Sequence, residues 1–126
     1  MLGRMKVVGF VPSRNPGKAR SFYEKVLGLR FVSEDQFAFV FDANGVPLRV
    51  VNVAAVPDFE PAPFTILGWQ VPDIRKAVTT LQRKGVNFER YEGMALDDLG
   101  IWTSPSGAKV AWFKDPDGNV LSVSEQ

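Results

Sequence analysis

The sequence predicts an α+β chain made of two tandem βαβββ modules, and internal duplication is the first reason for that reading. Phe37-Ala-Phe-Val-Phe-Asp-Ala-Asn-Gly-Val-Pro-Leu-Arg-Val50 and Val110-Ala-Trp-Phe-Lys-Asp-Pro-Asp-Gly-Asn-Val-Leu-Ser-Val123 share one design, two β-rich runs around a glycine turn. Spacing is the second reason. Val8 and Ile66 stand 58 residues apart, as do the helix-start residues Asn15 and Asp73, and the helix-ending glycines Gly28 and Gly85 stand 57 apart. Module one is thus expected over 1–53, a proline-bearing linker over 54–63, and module two over 64–126, within a single domain of 1–126.

Each element has its own warrant. Lys6 to Val11 is an apolar run that Pro12 would end, as a first strand. Asn15 caps a helix with Pro16 at its first position, and Ala19, Phe22, Tyr23, Val26 and Leu27 form its apolar stripe. Leu29 to Ser33, Phe37 to Phe41 and Pro47 to Val53 complete the first module as strands. In the second, Phe64 to Val71 is a strand, and Asp73 caps a helix striped by Ile74, Ala77, Val78 and Leu81. Val86 to Tyr91 and the closing hairpin supply the remaining strands. The two turn glycines, Gly45 and Gly118, are 73 residues apart, so the second module carries a surplus of 16 residues between Tyr91 and Gly107.

Composition excludes much chemistry. Neither cysteine nor histidine occurs, which removes disulfides, thiolate nucleophiles, the commonest metal ligand and every Ser-His or Cys-His arrangement. The net charge is +1, with 15 basic and 14 acidic residues interspersed, so nucleic acid and anionic membranes are not expected partners. No apolar run reaches membrane-span length, and a cytoplasmic location is the expectation.

The helix end Ala-Arg-Ser-Phe22-Tyr23-Glu-Lys-Val-Leu27-Gly28-Leu29, the helix start Val71-Pro-Asp73-Ile74 and the turn Asp115-Pro-Asp-Gly-Asn119 resemble the vicinal oxygen chelate superfamily of glyoxalases, bleomycin resistance proteins and extradiol dioxygenases. The resemblance covers nearly the whole chain. It implies a curved, barrel-like mixed sheet around a shared cavity, and a homodimer. It also implies four metal-ligand positions, which fall here on Val8, Arg49, Ile66 and Ser122. Those side chains are not a donor set for a divalent cation, and an arginine among them would repel one. No cofactor is expected, and the family's metal-dependent activities do not transfer.

A type I turn with a glycine bulge in both hairpins would set Phe39 across from Arg49 and Trp112 across from Ser122. The cavity wall would then hold Val8, Phe10, Phe39, Arg49, Phe64, Ile66, Gln70, Trp112 and Ser122, with Leu48, Val50, Leu121 and Val123 facing the helices. The expected partner is a small, flat, partly aromatic molecule bearing an anionic or carbonyl group. Trp112 and Phe39 would stack on it, Arg49 would pair with its charge, and Ser122 and Gln70 would hydrogen-bond it. Plain core packing of the two aromatics, and an Arg49 pair with a carboxylate such as Asp42, are the competing assignments. In the surplus segment, Trp102 either closes the cavity mouth or extends a hairpin through Pro105-Ser106-Gly107. Asp97 and Asp98 are either an acid and base pair or solvated loop caps. Tyr91 is either wall or rim. Three functions compete: metal-independent binding of a small molecule, a metal-free enzyme using Arg49 with loop carboxylates, and an interaction module with a closed cavity.

Overall fold

In the computed structural model, which describes Met1 to Gln126, the chain divides into two compact units, Met1–Pro61 and Ala62–Gln126. Each is a mixed four-stranded sheet with helix on one face, the βαβββ architecture of glyoxalase-like folds.

In the first unit β1 (Gly9–Ser13) leads to a short helix α1 (Pro16–Ser21), followed by β2 (Arg30–Glu34), β3 (Ala38–Ala43) and β4 (Val46–Asn52), in the spatial order β1-β4-β3-β2. The Asn15 side chain accepts from the Lys18 N–H at 3.3 Å, with Pro16 at the first helical position, as expected of the cap. Two details differ from expectation. Pro12 lies inside β1 rather than ending it, which is tolerable because β1 is an edge strand with one side free of a ladder. The second half of the helix is a π-turn, Phe22–Val26, where the Leu27 N–H reaches the Phe22 carbonyl five residues back. Tyr23 is fully buried there and packs near Phe41, while Gly28 closes the segment at φ +78°.

The second unit has β5 (Thr65–Gln70), α2 (Ile74–Arg83), β6 (Trp102–Thr103), β7 (Lys109–Lys114) and β8 (Val120–Glu125), in the order β5-β8-β7-β6. Asp73 caps α2 by accepting from the Lys76 N–H, and Ile74 and Val78 bury against the sheet. Phe113, Leu121 and Val123 lie on that same face, almost fully buried. Each such side chain contributes about 1.5–3 kcal/mol by leaving water. Leu48 and Val50 do the same in the first unit, so the expected helix-facing residues do face the helices.

The strand expected over Val86 to Tyr91 does not form. Phe88 makes a single bridge to Phe113, and the Glu89 N–H donates to the Trp112 carbonyl. The sheet edge is resumed only by β6, beside Val110 and Lys109. Between these pieces the surplus residues fold back on themselves: Leu96 bridges Trp102 around a turn that Asp97 and Gly100 close. Asp97 holds that turn by accepting the Leu99 and Ile101 N–H groups on one carboxylate oxygen.

No helix is long and apolar enough to cross a membrane.

Candidate functional site

The hairpin turns decide which side chains share a face. In the second unit Pro116-Asp117-Gly118 forms a three-residue loop, with the Asp115 N–H bonded to the Asn119 carbonyl. Asp115 is buried and organises it, taking the Asp117 and Asn119 N–H groups on Oδ1 and the Asn119 side-chain amide on Oδ2. Trp112 therefore pairs with Ser122, as the sequence predicts.

The first hairpin breaks the analogy. Its loop is only Asn44-Gly45, with φ of +51° and +92°, so Ala43 pairs with Val46 and the register moves by one. Phe39 then lies across from Val50, and Val40 across from Arg49. A one-residue slip exchanges the faces of a strand. Phe39 consequently packs with Phe31 on the helix side, where the Arg20 guanidinium lies 3.8 Å from the Phe31 ring centre and 5.8 Å from that of Phe39. Phe39 therefore does not share the face of Arg49, the placement expected of a wall residue.

Arg49 is on the outward face, beside the exposed Phe10 in the β1–β4 register. Its carboxylate partner is Asp35 at 3.4 Å; Asp42 pairs with Arg30 instead. The Asp35 carboxyl is held below its ordinary value, chiefly by the Phe37 and Ala38 N–H groups that it caps and secondarily by Arg49. Val8 precedes β1 and is exposed.

The outward face of the second sheet is aromatic. Trp112 stands at its centre, with the Trp102 ring 6.2 Å away at 39° and the Tyr91 ring 5.8 Å away at 74°. Its indole N–H donates to the exposed Thr65 hydroxyl at 3.1 Å, which fixes the ring. Ser122 lies across from Trp112 on one side and from Gly68 of β5 on the other. Gly68 leaves room for the hydroxyl: a Cβ there would stand 2.5 Å from Ser122 Oγ. Gln70 is exposed at the end of β5, level with Ser124. Trp102 belongs to a hairpin through Pro105-Ser106-Gly107 and also reaches the aromatic group, so its two expected roles coincide.

Four of the six expected contact residues, Gln70, Trp102, Trp112 and Ser122, thus share one sheet face. The contributions of Tyr91 and Thr65 depend on the bent edge and on a bulge between Thr65 and Leu67, neither of which alternation reveals.

Asp97 and Asp98 sit elsewhere, both paired with Arg75 of α2 at 2.9 and 3.2 Å. Hydrogen bonding from Arg75 holds the Asp98 carboxyl below its ordinary value, which makes it a weak base. They tie the loop to the helix. A cleft of about 380 Å³ opens beside them, lined by Gln82, Asn87, Phe88, Arg90 and Asp98. It lacks the half-buried indoles of the sheet face, and Phe88 within it is turned toward buried Phe113.

No group of three or more histidine, cysteine, aspartate or glutamate side chains is placed to hold a metal ion. Of the positions that the resemblance assigns to metal ligands, Arg49 in the first unit carries its own positive charge and Ser122 in the second brings one neutral hydroxyl next to Gly68, and neither side chain fits a divalent cation.

The model of the Glyoxalase/Bleomycin resistance protein/Dioxygenase superfamily matches residues 6–123. No curated protein matches the chain. Among solved structures, a member of that superfamily from Sphaerobacter thermophilus is 22% identical over 100% of both chains, with a TM-score of 0.78. The lactoylglutathione lyase of Agrobacterium tumefaciens is 16% identical over 97% of this chain and 93% of its own, at a TM-score of 0.72. An integron cassette protein from the mobile metagenome of the Halifax Harbour sewage outfall is 18% identical over 98% and 99%, also at 0.72. At these identities the structures speak for the fold alone.

Proposed function

The chain belongs to the Glyoxalase/Bleomycin resistance protein/Dioxygenase superfamily, and on that premise we propose that it binds a flat, partly aromatic small molecule without using a metal ion. The observation that supports this most is the outward-facing Trp112, flanked by Trp102 and Tyr91 and pinned by Thr65. An indole whose N–H is already satisfied offers its face for stacking and has no hydrogen bond to lose when a ring covers it. Ser122 and Gln70, on the same face, supply hydrogen bonds that orient the ligand. On the outward face of the first unit, Arg49 is proposed separately as a partner for an anionic or carbonyl group, in exchange for its solvent-exposed contact with Asp35. The proposal is of a binding protein in the cytoplasm, acting as a homodimer; sedimentation and cell fractionation check those two parts.

The test is a thermal-shift and tryptophan-fluorescence screen against divalent metals and flat aromatic acids and carbonyl compounds. A ligand at 100 times its Kd stabilises by about 2.7 kcal/mol, and Trp112→Ala should weaken it up to about tenfold. Arg49→Ala tests the first-unit contact by itself and should weaken only anionic or carbonyl ligands held there. Saturable stabilisation by a metal ion, or ligand affinity unmoved by Trp112→Ala, would overturn the proposal.

A further inference from the structure

Beside the aromatic group, the same sheet carries an ion pair that the binding reading leaves unused. Lys114 is two residues beyond Trp112 in β7, so it shares the outward face and stands about 7 Å further along the strand. Its ammonium lies 3.4 Å from the Glu89 carboxylate, with half of the lysine side chain open to solvent and the glutamate less so. Glu89 is itself two residues from Tyr91, and its N–H is bonded to the Trp112 carbonyl, which locks the pair to the aromatic group through the backbone. Burial and the Glu89 charge both push the Tyr91 hydroxyl's pKa up while Lys114 lowers it, so both charges act at this ring.

We propose that Lys114 is the carboxylate-binding residue of this face, so that the ligand class is aromatic acids whose ring covers Trp112 and whose carboxylate takes the ammonium, in competition with Glu89. The inference rests on the small-molecule reading and specifies its ligand. Lysine suits the role, since its ammonium has three donors and Glu89 occupies only part of that capacity. Glu89 then acts as an internal competitor that sets affinity, rejecting acids that bring too little ring to hold the site.

Equilibrium dialysis with naphthoate, its neutral analogue naphthamide and the cationic naphthylmethylammonium tests this at low salt. Naphthoate should bind tightest, and its affinity should fall as salt is added. Lys114→Gln should weaken naphthoate about fivefold and leave naphthamide unchanged, while Glu89→Gln should tighten naphthoate by a few fold. Those opposite signs separate a ligand contact from a general loss of structure, which urea unfolding of each variant also checks. Naphthamide binding as well as naphthoate, a preference for the cation, or naphthoate indifferent to Lys114→Gln would overturn the inference and leave the stacking reading standing. If none of the three binds, the stacking reading itself falls, and the inference with it.

Discussion

The close approach of Gly68 to Ser122 sets the size of one predicted effect. A Cβ built on Gly68 meets Ser122 Oγ at 2.5 Å, the Ser122 carbonyl at 3.4 Å and its Cβ at 3.8 Å, and only the first of these is a clash. The offending atom ends a short side chain that can rotate, so Gly68→Ala should push Ser122 out of its rotamer at a cost of about 0.5–1.5 kcal/mol. Against this, alanine restricts the unfolded chain and returns about 0.4–1 kcal/mol, since Gly68 does not have the positive φ that would penalise it. The single variant should therefore be nearly neutral in urea unfolding, within about 1 kcal/mol of the parent. Ser122→Ala alone, at a half-buried position, should change stability by less than about 0.5 kcal/mol. The double variant removes the clash and keeps the gain, so the cycle should show a coupling of about 0.5–1.5 kcal/mol. Additive effects would mean that Ser122 Oγ does not occupy the space over Gly68, and its assignment to the outward face beside Trp112 would have to be withdrawn.

Other expectations follow from single groups. Asp115→Ala leaves the Asp117 and Asn119 amides of a buried turn without their acceptor and should cost about 2–4 kcal/mol, read as a lower urea midpoint. Gly45→Ala, at φ +92°, should lose about 1–2 kcal/mol, whereas alanine at Gly68 should not, a contrast visible in the same unfolding series. The Asp98 carboxyl has a folded-state pKa below its ordinary 3.8, so its contribution is complete above that value and disappears as pH falls through the lower one. Acid unfolding of Arg75→Gln should accordingly begin at a higher pH than that of the parent, and coincident curves would remove the ion pairs from the account.

How far the fold could be read from the sequence depended on whether local chemistry dictated each feature. Asn15-Pro16 and Asp73 are caps whose side chains bond the backbone three residues on, and both helices begin there. The Pro116-Asp117-Gly118 loop was legible for the same reason, and with it the pairing of Trp112 with Ser122. The first hairpin departs from the pattern of the second because Asn44-Gly45 favours a two-residue turn, which alignment of the two turn glycines does not reveal. That slip alone misplaced Phe39. The Val86–Tyr91 edge has strand-like composition, but long-range pairing with β7 decided how much of it entered the sheet. Asp35 as the partner of Arg49, and Glu89 as that of Lys114, are likewise products of tertiary register that no local pattern announces.

The broken edge of the second sheet also bears on how the chain behaves in a crowded solution. A long, flat edge strand offers unpaired amides and carbonyls to any neighbouring chain and so seeds aggregation. Here that edge is reduced to one bridge at Phe88 and two residues at Trp102–Thr103, separated by a segment that folds back on itself. An incoming strand finds no register long enough to hold it. Straightening the edge by deleting the intervening loop would lengthen the strand, and with it the risk of fibrillar self-association.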